Sequence, residues 1–355
     1  MLRVKEHRAP RLLVVRPDRV GDVVLSTPVL RALRRQWPEA YLAMLVRPYS
    51  RDVLVANPWL DEILTDEADG SDRGVVGFMR QVGRLRTRRF DVALMLLPTM
   101  RIAWMLFLAG IPHRVGVGRT MYQALTLTRS VSRRRYIPLR HEADYCLDLA
   151  RAIGVETEDV RPAVFLTEAE REAARSLLRA EGATDRPLIG LHPGNGRNAP
   201  NWPPETYGTL ADRMAGRWWG ATLLVTGSAA EQGLIDRMRT GTTARLVSLA
   251  GRLDLRQLMA VIAELDLLVS SSTGPMHLAA ALGVPTVSLF CPLPARSPGR
   301  WGPLSARSIV LLPPGHGCET CERGPMCDLA GISVETVVEA VARTLAVSPS
   351  IMKQD

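Results

Sequence analysis

Short uncharged apolar runs alternate along this chain with segments whose apolar residues recur every three or four positions. The runs are Leu12–Val15, Tyr41–Val46, Val92–Leu97, Leu188–Leu191, Thr222–Val225, Leu246–Leu249, Leu267–Ser270 and Thr286–Phe290. Uninterrupted runs of this kind predict strands buried on both faces, as in a parallel sheet. Helical spacing predicts helices over Arg31–Gln36, Ala143–Ile153, Pro204–Gly216, Leu255–Glu264, Met276–Leu282 and Val334–Leu345. Alternation of strand and helix argues for an α/β protein with helices on both faces of its sheets. The rhythm breaks at 155–187, where a polar stretch, a charged amphipathic helix and a proline turn precede the strand at Leu188. The expected organisation is two doubly wound domains, 1–165 and 166–332, with a helix and tail at 333–355 packing back on the first. No internal sequence repeat is visible.

A chain of 355 residues is too long for one ordinary core, in keeping with two domains. The charge is unevenly spread. The first 165 residues carry 27 Arg and Lys against 18 Asp and Glu, whereas the remainder is balanced at 18 of each. The whole net charge of +9 therefore lies in the first half, notably at Arg80, Arg84, Arg86, Arg88, Arg89 and Arg133, Arg134, Arg135. An acidic ligand or an anionic membrane surface suits that asymmetry. Nucleic acid does not, because no recognition motif or stacking-aromatic pattern accompanies the charge. Residues 92–111 come closest to a membrane span, but Pro98 and Arg101 break the run, which predicts a buried strand followed by a buried helix. The basic start is followed by too short an apolar run for a secretory signal. Five cysteines in so long a chain do not form a secreted disulfide framework. A cytoplasmic location is expected, with the inner face of the membrane as a candidate contact.

Four strand-to-loop edges could carry chemistry. In RLLVVRPDRVGDVVLSTPVL at 11–30, a strand feeds a tight loop ending in Gly21-Asp22, and a helix begins near Ser26-Thr27-Pro28. Such a loop lies at the carboxyl edge of a parallel sheet, where α/β proteins bind ligands. Asp22 could take a proton from a hydroxyl, and Arg16 and Arg19 could hold an anionic partner. In DLLVSSSTGPMHLAAALGVP at 266–285, Pro275 suits a first helical position. The open amides of that helix, with Ser271, Ser272 and Thr273 and with His277 nearby, suit a phosphate. In LIGLHPGNGRNAPNWPP at 188–204, Gly194, Gly196 and Ala199 mimic a dinucleotide fingerprint, but Pro200, Pro203 and Pro204 prevent the helix it requires. A loop approaching a phosphate past His192 and Gly194, with Arg197 reaching in, is the reading that stands. The fourth edge, at 223–232, presents Thr226 and then Glu231, a carboxylate able to accept from ribose hydroxyls or simply to open a helix.

His316, Cys318, Cys321 and Cys327 form H-x-C-x2-C-x5-C. The first cysteine pair has zinc-knuckle spacing, yet the cluster is compressed into one loop, and loop cysteines without a metal are the favoured reading. Cys146 and Cys291 read as core residues.

Taken together, VRPDRVGDVVLSTPVLRALR at 15–34, LHPGNGRNAPNWPPETYGTLA at 191–211, the block from Leu249 to Phe290 and the cysteine loop resemble glycosyltransferase family 9, the bacterial ADP-heptose:lipopolysaccharide heptosyltransferases. The resemblance implies a GT-B fold, two Rossmann-like domains facing across a cleft, with the acceptor on the first and the nucleotide sugar on the second. It implies a cytoplasmic, metal-independent, inverting glycosyltransferase without a cofactor, acting on an ADP-heptose-like donor and an anionic glycolipid or glycan acceptor. Asp22 would be the general base. Arg16, Arg19 and Gly21 would meet the acceptor. His192, Gly194, Arg197, Thr226, Glu231, Ser272, Thr273, Gly274 and His277 would line the donor site. Two positions depart from the family pattern: Ser272 stands where an Asp is usual, and Pro200 where a Lys is common. Those departures make a non-catalytic nucleotide-sugar-binding protein one alternative, and a GT-B nucleotide-sugar 2-epimerase is another.

Overall fold

The computed structural model describes residues 9–132, 139–196, 199–315 and 327–346. The chain divides into two compact units, Met1–Phe165 and Leu166–Asp355. In the first, strands β1 (Arg11–Val15), β2 (Tyr41–Val46), β3 (Glu62–Thr65), β4 (Val92–Met95), β5 (His113–Val117) and β6 (Arg129–Val131) pair in parallel in the order β3-β2-β1-β4-β5-β6. Helices α1 (Val20–Val24), α2 (Thr27–Gln36), α3 (Gly74–Arg88), α4 (Met100–Leu108), α5 (Met121–Leu125) and α6 (Glu142–Arg151) accompany them.

The second unit holds β7 (Leu188–His192), β8 (Thr222–Val225), β9 (Leu246–Ser248), β10 (Leu267–Ser271), β11 (Thr286–Leu289) and β12 (Ser308–Leu311), all parallel, in the order β12-β11-β10-β7-β8-β9. Its helices are α7 (Glu168–Ala180), α8 (Pro204–Arg217), α9 (Gln232–Thr240), α10 (Leu255–Ala263), α11 (Gly274–Ala281), α12 (Pro298–Trp301) and α13 (Val334–Ala346). Numbered within each unit, both sheets run 3-2-1-4-5-6, although no sequence repeat announces it. In that order the winding reverses beside the first strand, between β1 and β4 and again between β7 and β10. A crevice opens there at the carboxyl ends of the strands, which is where this topology accepts ligands.

Each central strand is buried along its length, so its side chains serve both faces. Leu13, Val15, Ala43, Leu45, Ala93 and Met95 pack with Val82 and Leu85 of α3 and Ile102, Met105 and Leu106 of α4. In the second unit Ile189, Leu191, Val225 and Val269 pack with Tyr207, Leu210 and Met214 of α8. Gly190 in β7 is required by close approach, since a Cβ there would lie 2.5 Å from Leu265 Cδ1.

The terminal helix packs against α8 and strands β10, β11 and β12 of the second unit. Val337, Val341 and Leu345 join the second core, and each buried aliphatic side chain contributes roughly 1.5–3 kcal/mol. The predicted strand and helix at 92–111 are β4 and α4. Thr99 caps that helix, accepting from the Ile102 amide at 3.2 Å. Among the described residues no helix is long and apolar enough to cross a membrane.

Four strands have no counterpart among the predicted ones: β3, β5, β6 and β12. The sequences HRVGV of β5 and RSV of β6 carry an arginine and no apolar run, and pairing with buried neighbours makes them strands. Gly21 and Asp22 lie within the helical turn α1 rather than at the end of a loop, and Leu25 and Ser26 separate α1 from α2.

Candidate active site

Each unit carries a polar cluster at the reversal point of its own sheet. In the first, β1 ends at Val15 and the next residue, Arg16, is 2% exposed. Its guanidinium bridges the reversal point, with Nη1 3.4 Å from the Leu96 carbonyl just beyond β4. Arg16 Nη2 lies 2.5 Å from Asp22 Oδ1, Nη1 lies 3.3 Å from Glu142 Oε1 of α6, and Nε lies 3.3 Å from Asp18 Oδ2. Cys146 Sγ is 3.7 Å from Nη1 and 3.9 Å from Ser26 Oγ. Burial works against the arginine's charge, but Cys146, Asp22, Glu142 and Asp18 outweigh it and hold the guanidinium above its ordinary value.

This arrangement changes the expected role of Arg16. A guanidinium enclosed by three carboxylates is not an open contact for an acceptor anion; it is the group that fixes Asp22. Arg19, by contrast, is exposed at the entrance to α1 and makes no ion pair among the described residues. Gly21 sits beside Asp22 in the first turn of α1, half-buried.

Burial raises the Asp22 carboxyl above the usual carboxylate range. Arg16 opposes the shift and Asp18 and Glu142 add to it. A carboxylate desolvated and crowded by like charge is a better proton acceptor than a free one. Arg16 engages Oδ1, while Oδ2 has no partner among the described residues. The site therefore offers an oriented carboxylate with one oxygen available.

In the second unit, His192 ends β7 and lies level with Ser270 of β10. The imidazole is buried, its Nδ1 2.9 Å from Thr226 Oγ1, and burial pushes its pKa down to about 4 against the opposing pull of Glu231. His192 is accordingly neutral at physiological pH. Glu231 Oε2 accepts from the Ser228 amide and hydroxyl, both at 2.9 Å, closing a capping box, and Oε1 accepts from the Gly196 amide at 3.3 Å. Burial alone would raise the Glu231 pKa; the Ser228 amide, His192 and the Gly196 amide bring it below the ordinary value. Gly194 lies directly over this carboxylate, since a Cβ there would fall 2.2 Å from Oε1.

Beside them β10 ends at Ser271 and α11 begins at Gly274, with Pro275 at its second position. Thr273 is extended and its side chain does not cap the helix, so the first amides of α11 have no side-chain acceptor. Ser270 Oγ and Ser271 Oγ are buried and make no hydrogen bond among the described residues. Half-buried Ser272 and Thr273 complete the turn, and His277 is buried one turn on. A helix terminus with open amides and hydroxyl groups is suited to a phosphate.

The chain matches the family described as glycosyltransferase family 9 (heptosyltransferase) over residues 79–326. It belongs to glycosyltransferase family 9. It is 29% identical over 309 residues to lipopolysaccharide heptosyltransferase 2 of Escherichia coli strain K12, covering 85% of this chain and 87% of that one. A glycosyltransferase family 9 structure from Veillonella parvula aligns with a TM-score of 0.84 at 23% identity, over 97% of this chain and 99% of its own. The structure of E. coli ADP-heptose lps heptosyltransferase II aligns with a TM-score of 0.78 at 25% identity, over 95% and 98%.

This family 9 glycosyltransferase therefore has the expected GT-B fold class. Of its anticipated donor residues, the structure brings His192, Gly194, Thr226 and Glu231 into one cluster and sets Ser272, Thr273, Gly274 and His277 on the neighbouring turn. Arg197 lies outside the described residues, as do His316, Cys318 and Cys321; Cys327 is buried in the second core. Two participants carried no usable sequence signal. Glu142 is 126 residues from Arg16 and reads as an ordinary helix-start acid, and Asp18 reads as a loop residue. Ser270 was visible only as a polar end to an apolar run.

Proposed function

We propose that this glycosyltransferase moves a heptose from an ADP-heptose-like donor to an anionic glycolipid acceptor of the cell envelope, with inversion and with Asp22 as general base. The carrying observation is the Asp22 carboxylate, oriented by Arg16 through one oxygen and left with the other unpaired. The acceptor hydroxyl oxygen attacks the anomeric carbon while its proton passes to Asp22. The bond from the anomeric carbon to the diphosphate oxygen breaks, and its electron pair leaves with the nucleoside diphosphate. In this reading the amides at the start of α11, with the hydroxyls of Ser270, Ser271 and Thr273, take up the diphosphate's developing charge. Glu231 accepts from the ribose and is held in place by Ser228 and Gly196. Arg19 and Gly21 meet the acceptor. The named activities of the E. coli relatives, lipopolysaccharide heptosyltransferase 2 and ADP-heptose lps heptosyltransferase II, support the sugar and the donor.

The test is transfer from ADP-heptose to a lipopolysaccharide-core acceptor by native protein and by Asp22→Asn. Native protein releases ADP in step with product. The variant loses about a hundredfold or more in turnover, the scale of a lost general base, while still binding ADP-heptose. Near-normal turnover by Asp22→Asn would falsify the assignment of the base.

A further inference from the structure

In the second unit two chain segments leave neighbouring strands and go different ways. Strands β7 and β10 pair as far as His192 and Ser270. Beyond that rung β7 runs into the glycine loop at 193–196, and β10 into the turn that opens α11 at Gly274. The Gly196 amide donates to Glu231 Oε1 at 3.3 Å, so the first segment serves the ribose side of the proposed donor site. The second presents the α11 amides that have no side-chain acceptor, the side proposed for the diphosphate.

Side chains take over where the ladder stops. Tyr207, in the first turn of α8, is fully buried, and its Oη donates to Asn201 Oδ1 at 2.9 Å. Asn201 Nδ2 donates in turn to the Pro193 carbonyl at 2.6 Å, closing the glycine loop at its base. The same Tyr207 oxygen faces the Ser271 backbone amide, which favours the ionised phenol against the larger opposing effect of burial. One buried hydroxyl therefore stands between the two segments. Asn201 is itself anchored: its amide donates to the Cys327 carbonyl at 3.1 Å, and its Oδ1 also accepts from the Trp202 amide at 3.0 Å. A buried network with its members satisfied makes what it joins rigid. The Tyr207 ring packs edge-on to Trp202, with centroids 5.6 Å apart. A phenylalanine would fill the same space, so packing does not account for the hydroxyl.

We infer that Tyr207 and Asn201 are positioning residues of the donor site, setting the distance between its ribose side at Gly194 and Glu231 and its phosphate side at the start of α11. Both act through the backbone they hold, and neither has to touch the nucleotide. A ligand that spans two subsites gains from their fixed spacing, whereas one that fills a single subsite does not. The inference deepens the nucleotide-sugar reading of this site and rests on it.

The experiment is ligand-observed NMR titration of full-length native protein and Tyr207→Phe with ADP, with adenosine and with inorganic pyrophosphate. The substitution keeps the ring, and Asn201 Oδ1 keeps the Trp202 amide, so the thermal midpoint should fall by only about 2–4 °C. Affinity for ADP should fall about tenfold, while affinities for adenosine and pyrophosphate stay within about twofold of native. In turnover, KM for ADP-heptose should rise by a similar factor and KM for the acceptor should not move. Asn201→Ala should give the same pattern, and the double variant should lose no more than Asn201→Ala alone, because both substitutions break one chain of hydrogen bonds. Unchanged ADP affinity in Tyr207→Phe overturns the inference. An equal loss for all three ligands overturns it too, since that is what a generally loosened site gives. Native protein that binds no ADP overturns the nucleotide reading itself, and this inference with it.

Discussion

Arg16 Nη2 lies 2.5 Å from Asp22 Oδ1, with the arginine side chain 3% exposed and the aspartate 17%. A buried charge pair of this kind fixes a geometry more than it adds stability, because desolvation offsets most of the attraction. What it fixes here is the direction of the second oxygen of Asp22. Glu142, on the far side of the guanidinium, holds Arg16 in turn.

Arg16 and Glu142 should act on Asp22, the proposed base, in opposite senses. With Asp22 as the proposed base, transfer needs it ionised, so the rate should fall as pH drops through its pKa. Arg16→Gln removes the charge that lowers this pKa, moving the acid limb of kcat/KM to higher pH. Glu142→Gln removes a charge that raises it, moving the limb down. Arg16→Gln also deprives buried Glu142 of a counter-charge, at a cost of about 3–5 kcal/mol in urea denaturation. Arg16→Lys retains a charge and should lie between. Shifts in the same direction for the two Gln variants would refute this account.

His192 predicts an acid sensitivity of the second unit. Its pKa is lowered by burial from the ordinary 6.5 to about 4, so the unfolded chain binds the proton more readily than the folded one. Stability is therefore complete above the ordinary value and declines as pH falls from about 6.5 towards 4, by on the order of 3 kcal/mol. Denaturation series across that range should show the decline in native protein, and His192→Gln should flatten it.

Gly194→Ala tests the carboxylate beneath the glycine. The added methyl meets Glu231 Oε1 at 2.2 Å, and the carboxylate must leave the Gly196 and Ser228 amides to avoid it. Calorimetric titration with ADP should show affinity falling about tenfold, equivalent to about 1.4 kcal/mol. The melting temperature should change little, since a surface-facing side chain is displaced and no core residue is. Unchanged affinity would separate Glu231 from the nucleotide.

Glu170 supports the second unit from outside the site. It closes a capping box with Thr167 and pairs with Arg256 of α10 through both oxygens, at 2.7 and 2.6 Å. These contacts, with Arg256 the largest contribution, lower its pKa to about 2. The stabilisation is thus present above the ordinary value of 4.5 and lost as pH falls through that range towards 2. Glu170→Ala should cost about 1–2 kcal/mol near neutrality, with the ion-pair share shrinking in high salt.

The sequence by itself determined the architecture wherever burial is uniform. Strands such as Tyr41–Val46 and Thr222–Val225 are uncharged and almost wholly apolar because parallel strands are covered on both faces, and their limits are legible to the residue. It also singled out Asp22 and the turn at Thr273-Gly274, as acidic and small residues beyond apolar runs at the carboxyl edge of a parallel sheet. Tertiary structure decided what depends on neighbours far along the chain. HRVGV becomes a strand because β4 lies beside it, and RSV because HRVGV does in turn; the matching strand order of the two sheets has no repeated sequence behind it. The role of Arg16 turned on the same cause. A guanidinium in a loop reads as an open anion site until Glu142, 126 residues away, closes over it. Burial and counter-charge are properties of the packed chain, and they made this arginine the support of Asp22.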